Sequence, residues 1–309
     1  MKKITVLGAG TMGHGIAQNY ALAGFNVSLY DLKSEYLTKA LSFVEKSLSM
    51  LIEEGKITEG EKKETLSRIH VTTNLEEAAK DTDFVTEVVV EVLDVKHQLY
   101  QQLEEMVSPE TIIASNTSTF SIAQLAEKMG RSERLIITHF FNPAQLVPLV
   151  EIVKSSKTSE NVIDRTVSLM KDIGKEPVVL QKDIPGLIAN RLQAALVREA
   201  FHLLEEGVAD AKSIDLALTA GPGFRWAFIG PLETADFGGL DIWRSVVENL
   251  APELSKAEKV PSFIKNKVEH GNLGTKTGEG IYSYSKELVE KALEQRDRNF
   301  IQLGKIKEQ

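Results

Sequence analysis

A histidine and a glutamate interrupt an apolar stretch in the middle of the chain, Thr138–Val153. Two short strands are predicted there, around Leu135–Thr138 and Leu149–Val153, joined by a proline-containing loop. If His139 and Glu151 meet across these strands, the carboxylate can fix the imidazole tautomer and stabilise the imidazolium, so that the histidine acts as a general base. Taken alone, the stretch favours a core histidine bonded to a backbone carbonyl, with Glu151 on a solvated strand face.

A glycine-rich turn near the start of the chain indicates which kind of ligand would bind near such a base. The apolar run Ile4–Leu7 is followed by Gly8-Ala9-Gly10-Thr11-Met12-Gly13 and then by apolar residues at helical spacing. In a strand–turn–helix unit the first glycine permits the tight turn, the second admits a pyrophosphate, and the third lets the helix pack on the strand. The phosphates then lie at the helix N-terminus, which favours negative charge. The sequence therefore predicts a dinucleotide site built from Gly8, Gly10, Thr11, Met12 and Gly13.

An acidic residue further along predicts which dinucleotide binds. Asp31 ends a second predicted strand, Asn26–Tyr30, 18 residues after Gly13. A carboxylate placed there accepts hydrogen bonds from the adenosine ribose and repels a 2′-phosphate, so NAD is favoured over NADP. Lys33 nearby softens that preference slightly. The competing interpretation, a glycine-rich turn without a ligand, is disfavoured because strand, turn, helix, strand and acid all occur in the required order.

The pattern over the first 183 residues predicts an α/β domain of the Rossmann type with about eight strands, six of them parallel. A helical hairpin interrupts it. Its first helix carries the apolar stripe of Leu37–Ile52 and ends at Gly55, and its second begins with the capping box of Thr58 and Glu61. Packing and ligand contact are both open as the role of this hairpin.

Polar residues cluster where two of the predicted strands end. Glu87 and Glu91 lie at the carboxyl end of a strand over Phe84–Val90, and Ser115–Thr119 follows the strand Thr111–Ser115. Open α/β sheets bind ligands at the carboxyl ends of their strands. The hydroxyls and amide of Ser115–Thr119 can cap the following helix, line the cleft, or do both.

The character of the sequence changes at residues 181–186. A long helix is predicted over Leu187–Glu206, and the only later strand signal is a short one at Gly280–Tyr282. We therefore predict an all-α C-terminal domain and divide the chain into residues 1–183, the NAD-binding domain, and 184–309, the helical substrate and dimerisation domain. The segment Lys286–Gln309 is predicted to be a charged, partly helical tail.

Composition excludes several classes of protein. The 309 residues include 42% hydrophobic and 26% charged residues, as in an ordinary soluble globular chain. The net charge of −8 argues against a general affinity for nucleic acid or anionic membranes. Without cysteine there is no disulfide framework, thiolate nucleophile or cysteine metal site, which suits a reducing cytoplasm. No run of 18 uncharged apolar residues occurs, and Ile4–Leu7 is too short for the core of a signal peptide. We therefore expect a cytoplasmic protein.

Together these motifs resemble the L-3-hydroxyacyl-CoA dehydrogenase family, in particular its bacterial 3-hydroxybutyryl-CoA dehydrogenases. Each motif is common alone, but here they run in family order along essentially the whole chain. The segments that carry the resemblance are Gly8–Gly13 with Asp31, Ser115–Ser118, His139–Pro143, Val150-Glu151, Asp183–Gly186 with Asn190-Arg191, Gly230-Pro231, Gly239–Asp241 and Gly274–Gly278.

The resemblance implies an activity, namely reversible NAD-dependent oxidation of an L-3-hydroxyacyl-CoA to the 3-ketoacyl-CoA, as in the β-oxidation of fatty acids. His139 would be the general base and Glu151 its orienting partner. Ser118 and Asn190 would hydrogen-bond the reacting oxygen of the substrate. With these groups to handle the developing oxyanion, no metal is expected.

The resemblance also implies contacts with the cofactor and with CoA, and an oligomeric state. Glu91, Lys96 and Asn116 would lie on the nicotinamide-ribose side of the cofactor, and Ser118 and Asn142 would join the cofactor site. Ser47 in the hairpin matches a serine that contacts CoA in the family. A homodimer formed through the helical domain is expected.

Two departures leave the substrate open. The hairpin lysine of the family falls near Glu54 here, and the closest basic residue is Lys56. In addition, Gly221–Phe228 resembles the relatives that act on small non-CoA acids, the gulonate 3-dehydrogenase/λ-crystallin and carnitine dehydrogenase group. We therefore expect an acyl-CoA substrate first and a small 3-hydroxy acid as the alternative. A third hypothesis is a dinucleotide-binding protein with a structural role, against which the retention of His139, Glu151 and their partners speaks.

Overall fold

The computed structural model describes residues 1–307, and by packing the chain separates into two compact units. The first unit contains Met1–Ile188 together with Asp297–Gln302, and the second contains Ala189–Arg296 and residues 303–307. The predicted boundary after residue 183 stays a prediction for the functional domains. Six residues near the end of the chain, Asp297–Gln302, pack with the first unit, which the sequence pattern did not indicate.

The first unit is built on one eight-stranded sheet in the order β3-β2-β1-β4-β5-β6-β7-β8. Strands β1 to β6 are parallel, β7 is antiparallel to β6, and β8 is parallel to β7. The prediction of about eight strands, six of them parallel, is confirmed. The strands are β1 (Lys3–Leu7), β2 (Asn26–Tyr30), β3 (Ile69–Thr72), β4 (Phe84–Glu87), β5 (Ile112–Ser115), β6 (Leu135–Phe140), β7 (Leu149–Val153) and β8 (Glu176–Leu180).

Helices cover both faces of this sheet, because parallel strands bury both of their faces. Ile4 and Val6 belong to one apolar core, whereas Leu7 and Val85 belong to the core on the opposite face. The helices of this unit are α1 (Gly13–Leu22), α2 (Ser34–Glu53), α3 (Glu59–Ser67), α4 (Leu75–Ala79), α5 (Leu93–Met106), α6 (Ile122–Ala126) and α7 (Glu160–Asp172).

The predicted helical hairpin is confirmed as α2 and α3. Gly55 has φ +68° and ends the first helix, and Thr58 and Glu61 form the predicted capping box. Thr58 Oγ1 accepts from the backbone amide of Glu61, while the Glu61 carboxylate accepts from the backbone amide of Thr58. These bonds satisfy amides at the helix start that have no partner within the helix.

The predicted strand Phe84–Val90 is too long. It ends at Glu87, because the Glu87 carboxylate accepts from the backbone amide of Val89 and draws the chain out of the ladder. In the opposite direction, the strand predicted over Leu135–Thr138 extends to Phe140 and so includes His139. The strand predicted at Gly280–Tyr282 is also wrong, since only isolated bridges occur in that region.

The second unit is helical, as predicted. Its helices are α8 (Ala189–Glu205), α9 (Ala211–Ala220), α10 (Pro222–Trp226), α11 (Pro231–Gly238), α12 (Leu240–Leu250), α13 (Ser262–Glu269) and, shared with the first unit, α14 (Lys286–Lys307). Sequence reasoning missed the short α10, although a proline at its first position is a start signal. Within residues 1–307, no helix is long and apolar enough to cross a bilayer.

Candidate active site

His139 and Glu151 lie opposite one another on the antiparallel pair β6 and β7. The imidazole Nδ1 is 3.0 Å from the Glu151 carboxylate, and the glutamate side chain is only 1% exposed. An ionised carboxylate accepts hydrogen bonds but cannot donate them, so Nδ1 carries the hydrogen and Nε2 is left to exchange a proton. The residue pair predicted from the sequence is therefore in contact, and Glu151 is not on a solvated face.

Further contacts hold this pair in place. The second carboxylate oxygen of Glu151 accepts from the backbone amide of Ile188 at 2.8 Å. The ring of Phe141 meets the imidazole edge-on, with 4.9 Å between ring centroids. Asn116 Oδ1 accepts from the backbone amide of Phe140 at 2.8 Å. The imidazole is thus fixed by its carboxylate partner, by a neighbouring ring and by the strand that carries it.

The glycine turn has the shape that a dinucleotide requires. Gly8 has φ +111°, and a Cβ there would lie 2.7 Å from the carbonyl oxygen of Val88. A Cβ on Gly13 would lie 1.8 Å from the carbonyl oxygen of Gly8, whereas a Cβ on Gly10 would meet nothing within 4 Å. The first and third glycines are thus required by packing, and the second leaves open space for a ligand. Met12, at the start of α1, provides no side-chain cap, so the first amides of the helix face that space.

Asp31 lies beside this turn. Its Oδ2 accepts from the backbone amide of Ala9 at 2.8 Å, which links the end of β2 to the turn after β1. One carboxylate oxygen thus stabilises the turn and the other is directed toward the backbone amide of Lys33 at 3.4 Å. The turn, the open position at Gly10 and the adjacent acid fit a bound NAD, with Thr11 exposed at the rim.

Glu91 and Lys96 form an ion pair next to the exit of β5, with Nζ 3.1 Å from Glu91 Oε2. Glu91 also accepts from the Thr117 hydroxyl. Burial raises the pKa of Glu91, but the Thr117 hydrogen bond and the Lys96 charge outweigh it, so that the pKa is lowered overall. Lys96, predicted as a cofactor contact, is 1% exposed and held by carboxylates.

The remaining predicted residues are distributed over both units. Ser118 is exposed in the loop after β5 and lines a recess together with Asp183 and Gly186. Asn142 is exposed and precedes a cis peptide bond to Pro143. Ser47 is half-buried on α2 in the first unit. Asn190 belongs to the second unit, as the second residue of α8.

Two glutamates at the end of α2 form ion pairs with an arginine of the C-terminal helix. Arg298 Nη1 donates to Glu54 at 3.0 Å, and its other terminal nitrogen pairs with Glu53. Ile301, one turn further along α14, is 4% exposed and belongs to the core that packs on α1 and α2. The position near which the resemblance predicts a lysine is therefore a glutamate in an ion pair with the C-terminal helix.

Two buried groups form contacts that the sequence does not predict. Glu87 lies at a strand end, as predicted, but it is fully buried and accepts four hydrogen bonds, for which the only signal is a lone carboxylate within an apolar run. The sequence gives no indication of a role for Lys175, because a lysine after a helix-ending glycine is usually on the surface. It is 7% exposed, and its ammonium donates to the carbonyls of Ala144 and Val147 at 2.7 and 2.9 Å. Burial lowers its pKa to about 8.

The fold and the glycine turn define an NAD-binding protein of the Rossmann class, and comparison with known families narrows the class. Residues 3–184 match the family described as 3-hydroxyacyl-CoA dehydrogenase, NAD binding domain. Residues 186–284 match the family described as 3-hydroxyacyl-CoA dehydrogenase, C-terminal domain. The chain belongs to the 3-hydroxyacyl-CoA dehydrogenase family, a family of NAD-dependent oxidoreductases, and its cofactor is NAD.

Individual relatives divide into two groups. A probable 3-hydroxybutyryl-CoA dehydrogenase of Deinococcus radiodurans is 40% identical over 283 residues, which is 91% of this chain and 100% of that protein. A 3-hydroxybutyryl-CoA dehydrogenase structure from Ralstonia eutropha has a TM-score of 0.75 and 38% identity, covering 92% of this chain and 99% of that one.

The second group is similar over the full length of the chain. A 5-formyl-3-hydroxy-2-methylpyridine 4-carboxylate 5-dehydrogenase of Mesorhizobium japonicum is 31% identical over 308 residues, 100% of this chain and 99% of that protein. A solved structure of an enzyme with this activity, described as an NAD+-dependent dismutase, has a TM-score of 0.92 and 31% identity, covering 100% of this chain and 99% of that one.

Proposed function

We propose that this protein catalyses the reversible oxidation of a 3-hydroxy acid derivative to the 3-keto form, with His139 as general base and Glu151 as its positioning partner. The observation that carries this proposal is the contact of 3.0 Å between His139 Nδ1 and the buried Glu151 carboxylate. Both residues are on the same sheet as the glycine turn that follows β1. A histidine, its acid and a dinucleotide turn on one sheet are the groups that an alcohol dehydrogenation needs.

The protein's part in the reaction is to move a proton. His139 Nε2 accepts the proton of the substrate hydroxyl as the carbon–hydrogen bond breaks, and Glu151 stabilises the imidazolium through Nδ1. NAD, when bound, supplies the acceptor for the hydride. In the reductive direction the imidazolium returns its proton to the carbonyl oxygen. Such general-base assistance contributes about 10²–10⁴-fold.

Ser118 and Asn190 are proposed to hydrogen-bond the reacting oxygen, which develops negative charge as the proton leaves. Hydrogen-bond donors already directed at that position stabilise the charge without reorganising. Asn116 is proposed to act mainly through its bond to the backbone of Phe140, which orients the strand carrying His139. Glu91, Lys96 and Asn142 are proposed cofactor contacts.

The first candidate substrate is an L-3-hydroxyacyl-CoA such as 3-hydroxybutyryl-CoA. The family match and the relatives named for this activity support it, and Ser47 would then contact the CoA portion. With this candidate we propose a role in fatty acid metabolism, in the β-oxidation direction or its reverse, and a cytoplasmic location.

The second candidate is a small 3-hydroxy acid without CoA, such as gulonate or carnitine. A full-length relative named for a substrate without CoA supports it. The ion pair of Glu54 with Arg298 also favours it, since the position that the resemblance matches to a lysine then presents a carboxylate, which repels a phosphate.

A substrate panel under NADH readout tests the function and separates these candidates. Acetoacetyl-CoA and a longer 3-ketoacyl-CoA are supplied with NADH, whose consumption is followed, and gulonate and carnitine are supplied with NAD, whose reduction to NADH is followed, all at equal concentrations. Turnover of acetoacetyl-CoA supports the first candidate, and turnover of only the free acids supports the second. NADH binding without activity on any of them would leave the protein a dinucleotide binder and remove the proposed reaction.

We further propose a homodimer that covers part of the helical unit. Helices α8, α9, α12 and α13 contain no fully buried residue, and large apolar side chains are exposed, among them Leu232 at 85% and Phe237 at 74%. Apolar surface on this scale marks an interaction site in a stable protein. A second copy of the chain would bury it.

A further inference from the structure

Glu87 is a buried carboxylate that the proposed mechanism does not use. Its side chain is completely inaccessible to solvent, yet it sits at the carboxyl end of the central strand β4. Burying a carboxylate in this way is costly unless hydrogen bonds and an opposite charge compensate it. A group retained at such a cost next to a ligand cleft is a candidate for a functional role.

Four donors compensate the carboxylate of Glu87. Oε1 accepts from the Lys96 ammonium at 2.7 Å and from the backbone amide of Val89 at 2.9 Å. Oε2 accepts from the hydroxyl of Tyr100 at 2.6 Å and from that of Ser115 at 2.7 Å. Burial, followed by the charge of Glu87, raises the pKa of Tyr100, so the phenol stays a donor. The carboxylate therefore links β4, α5 and β5 in one fixed arrangement.

Lys96 is the one charged donor in this set, and two carboxylates hold it. Glu87 lies 2.7 Å and Glu91 3.1 Å from Nζ, and the lysine is 1% exposed. An ammonium has three hydrogens. Among residues 1–307 these two carboxylates are its partners, which leaves one hydrogen for a ligand.

This cluster lies next to the glycine turn, where a dinucleotide would bind. Glu87 pairs with Leu7, the residue before the turn, in the register of β1 and β4. The carbonyl of the next residue, Val88, lies against Gly8. Between β1 and β4 the strand order changes direction, and doubly wound sheets bind their dinucleotide in the crevice at that point. Glu87 thus holds a cation at the edge of the dinucleotide crevice.

We propose that Glu87 is a positioning residue for the cofactor: its ion pair with Lys96 fixes the ammonium so that the remaining N–H is presented to the bound dinucleotide. This inference rests on the proposed contact of Lys96 with NAD. Tyr100 and Ser115 act on the same carboxylate and prevent it from turning away. Glu91, which is partly exposed, forms the outer wall of the same arrangement.

The test is a double-mutant cycle on the full-length protein, with NADH binding measured by fluorescence titration. Glu87→Gln keeps the shape of the side chain and removes its charge. We expect it to weaken NADH binding by about tenfold or more, since a charge-assisted hydrogen bond is lost. Lys96→Met is expected to weaken binding to a similar extent. In the Lys96→Met background, Glu87→Gln should cause little further loss of affinity.

A matched variant separates positioning from loss of structure. Glu104 is a second largely buried carboxylate of the same unit, which accepts from the amides of Gly130 and Arg131 and faces Arg134. Glu104→Gln should lower thermal stability and leave NADH affinity unchanged. Tyr100→Phe keeps all charges and should weaken NADH binding less than Glu87→Gln does, which preserves the test if Glu87→Gln folds poorly.

The outcomes distinguish this inference from the proposed contact on which it rests. If Lys96→Met does not alter NADH affinity, the contact of Lys96 with the cofactor is wrong and the inference goes with it. If Lys96→Met weakens binding but Glu87→Gln and Tyr100→Phe only lower the melting temperature, Glu87 is a structural residue. Equal, additive losses from the two charge variants would also overturn the inference, because residues acting through one another are not additive.

Discussion

The contact of His139 with Glu151 shows how the fold brings the proposed base and its acidic partner together. His139 and Glu151 are twelve residues apart in sequence but directly opposite on two hydrogen-bonded strands. Cross-strand partners have their Cβ atoms about 5 Å apart, which leaves room for an imidazole and a carboxylate to meet. Because both side chains are buried, no solvent competes for the bond between them.

Replacing the histidine tests the base directly. His139→Gln keeps a polar side chain of similar reach but cannot take up a proton. We expect kcat to fall by at least about 10²-fold while NADH affinity stays within a few-fold, because the base acts on the substrate and not on the cofactor. Steady-state kinetics and NADH titration measure the two effects, and near-normal turnover would remove His139 from the mechanism.

Asp31 is the residue that we expect to select NAD over NADP. Asp31→Ser removes the charge that repels a 2′-phosphate and also removes the bond to the amide of Ala9. We expect weaker NADH binding and a smaller preference for NADH over NADPH, measured as the ratio of their dissociation constants. A preference as strong as that of the unmodified protein would mean that another residue contacts the ribose.

At the scale of the elements, the loop between β6 and β7 is anchored from two sides. The carbonyl of Ala144 accepts from Lys175 and also from the side-chain amide of Asn19 in α1. The same loop packs against Gly15, where a Cβ would lie 2.5 Å from the side chain of Gln145. These contacts tie the loop that joins His139 to Glu151 to the first helix of the dinucleotide unit.

The contribution of Lys175 to the free energy of unfolding depends on pH. Burial lowers its pKa from an ordinary value of 10.5 to about 8. Between these values the unfolded chain binds a proton that the folded chain does not, so the stability of the folded state rises with pH. Relative to Lys175→Met, the free energy of unfolding should therefore increase by up to about 3 kcal/mol from pH 8 to pH 10.5.

Urea unfolding across this pH range measures the effect. The exposed Lys171 of the neighbouring helix α7 provides the control, since Lys171→Met should leave the pH profile parallel to that of the unmodified protein. A stability difference that is flat with pH for Lys175→Met would show that the buried ammonium titrates normally.

The C-terminal helix is part of the first unit's core at one point along its length. Ile301→Ala removes a 4% exposed side chain from that core and should cost about 3 kcal/mol of stability. Ile306→Ala on the same helix removes a side chain that is 54% exposed and should cost less than about 0.5 kcal/mol. Equal effects in urea unfolding would show that the helix is not anchored at Ile301.

For the whole molecule, the exposed apolar surface of the helical unit leads to a prediction about assembly. The chain has a mass of 34.2 kDa, so the proposed dimer has twice that mass. We expect light scattering after gel filtration to give the dimer mass at micromolar concentration, with dissociation only on strong dilution. A monomer at high concentration would leave the exposed apolar side chains unexplained by self-association.

Strongly periodic or chemically specific features could be predicted from the sequence. The glycine turn, the capping box at Thr58 and the order of strands and helices follow from local patterns that bear on one fold. The stretch Thr138–Val153 alone favours a core histidine, so the contact of His139 with Glu151 is expected only in combination with the other motifs of the chain. The hydrogen bonds of Glu87 and Lys175 could not be predicted, because they depend on which distant groups the fold brings near. The packing of Ile301 in the core of the first unit could not be predicted for the same reason, since the pattern of a charged tail does not indicate which surface the helix covers.

The amide of Ile188 that bonds Glu151 is the last one before the chain enters the helical unit. The group that orients the imidazole is thus attached to the peptide segment that introduces α8 and, within two residues, Asn190. Lengthening of this bond would release one of the two Glu151 oxygens, and with it part of the restraint on the imidazole.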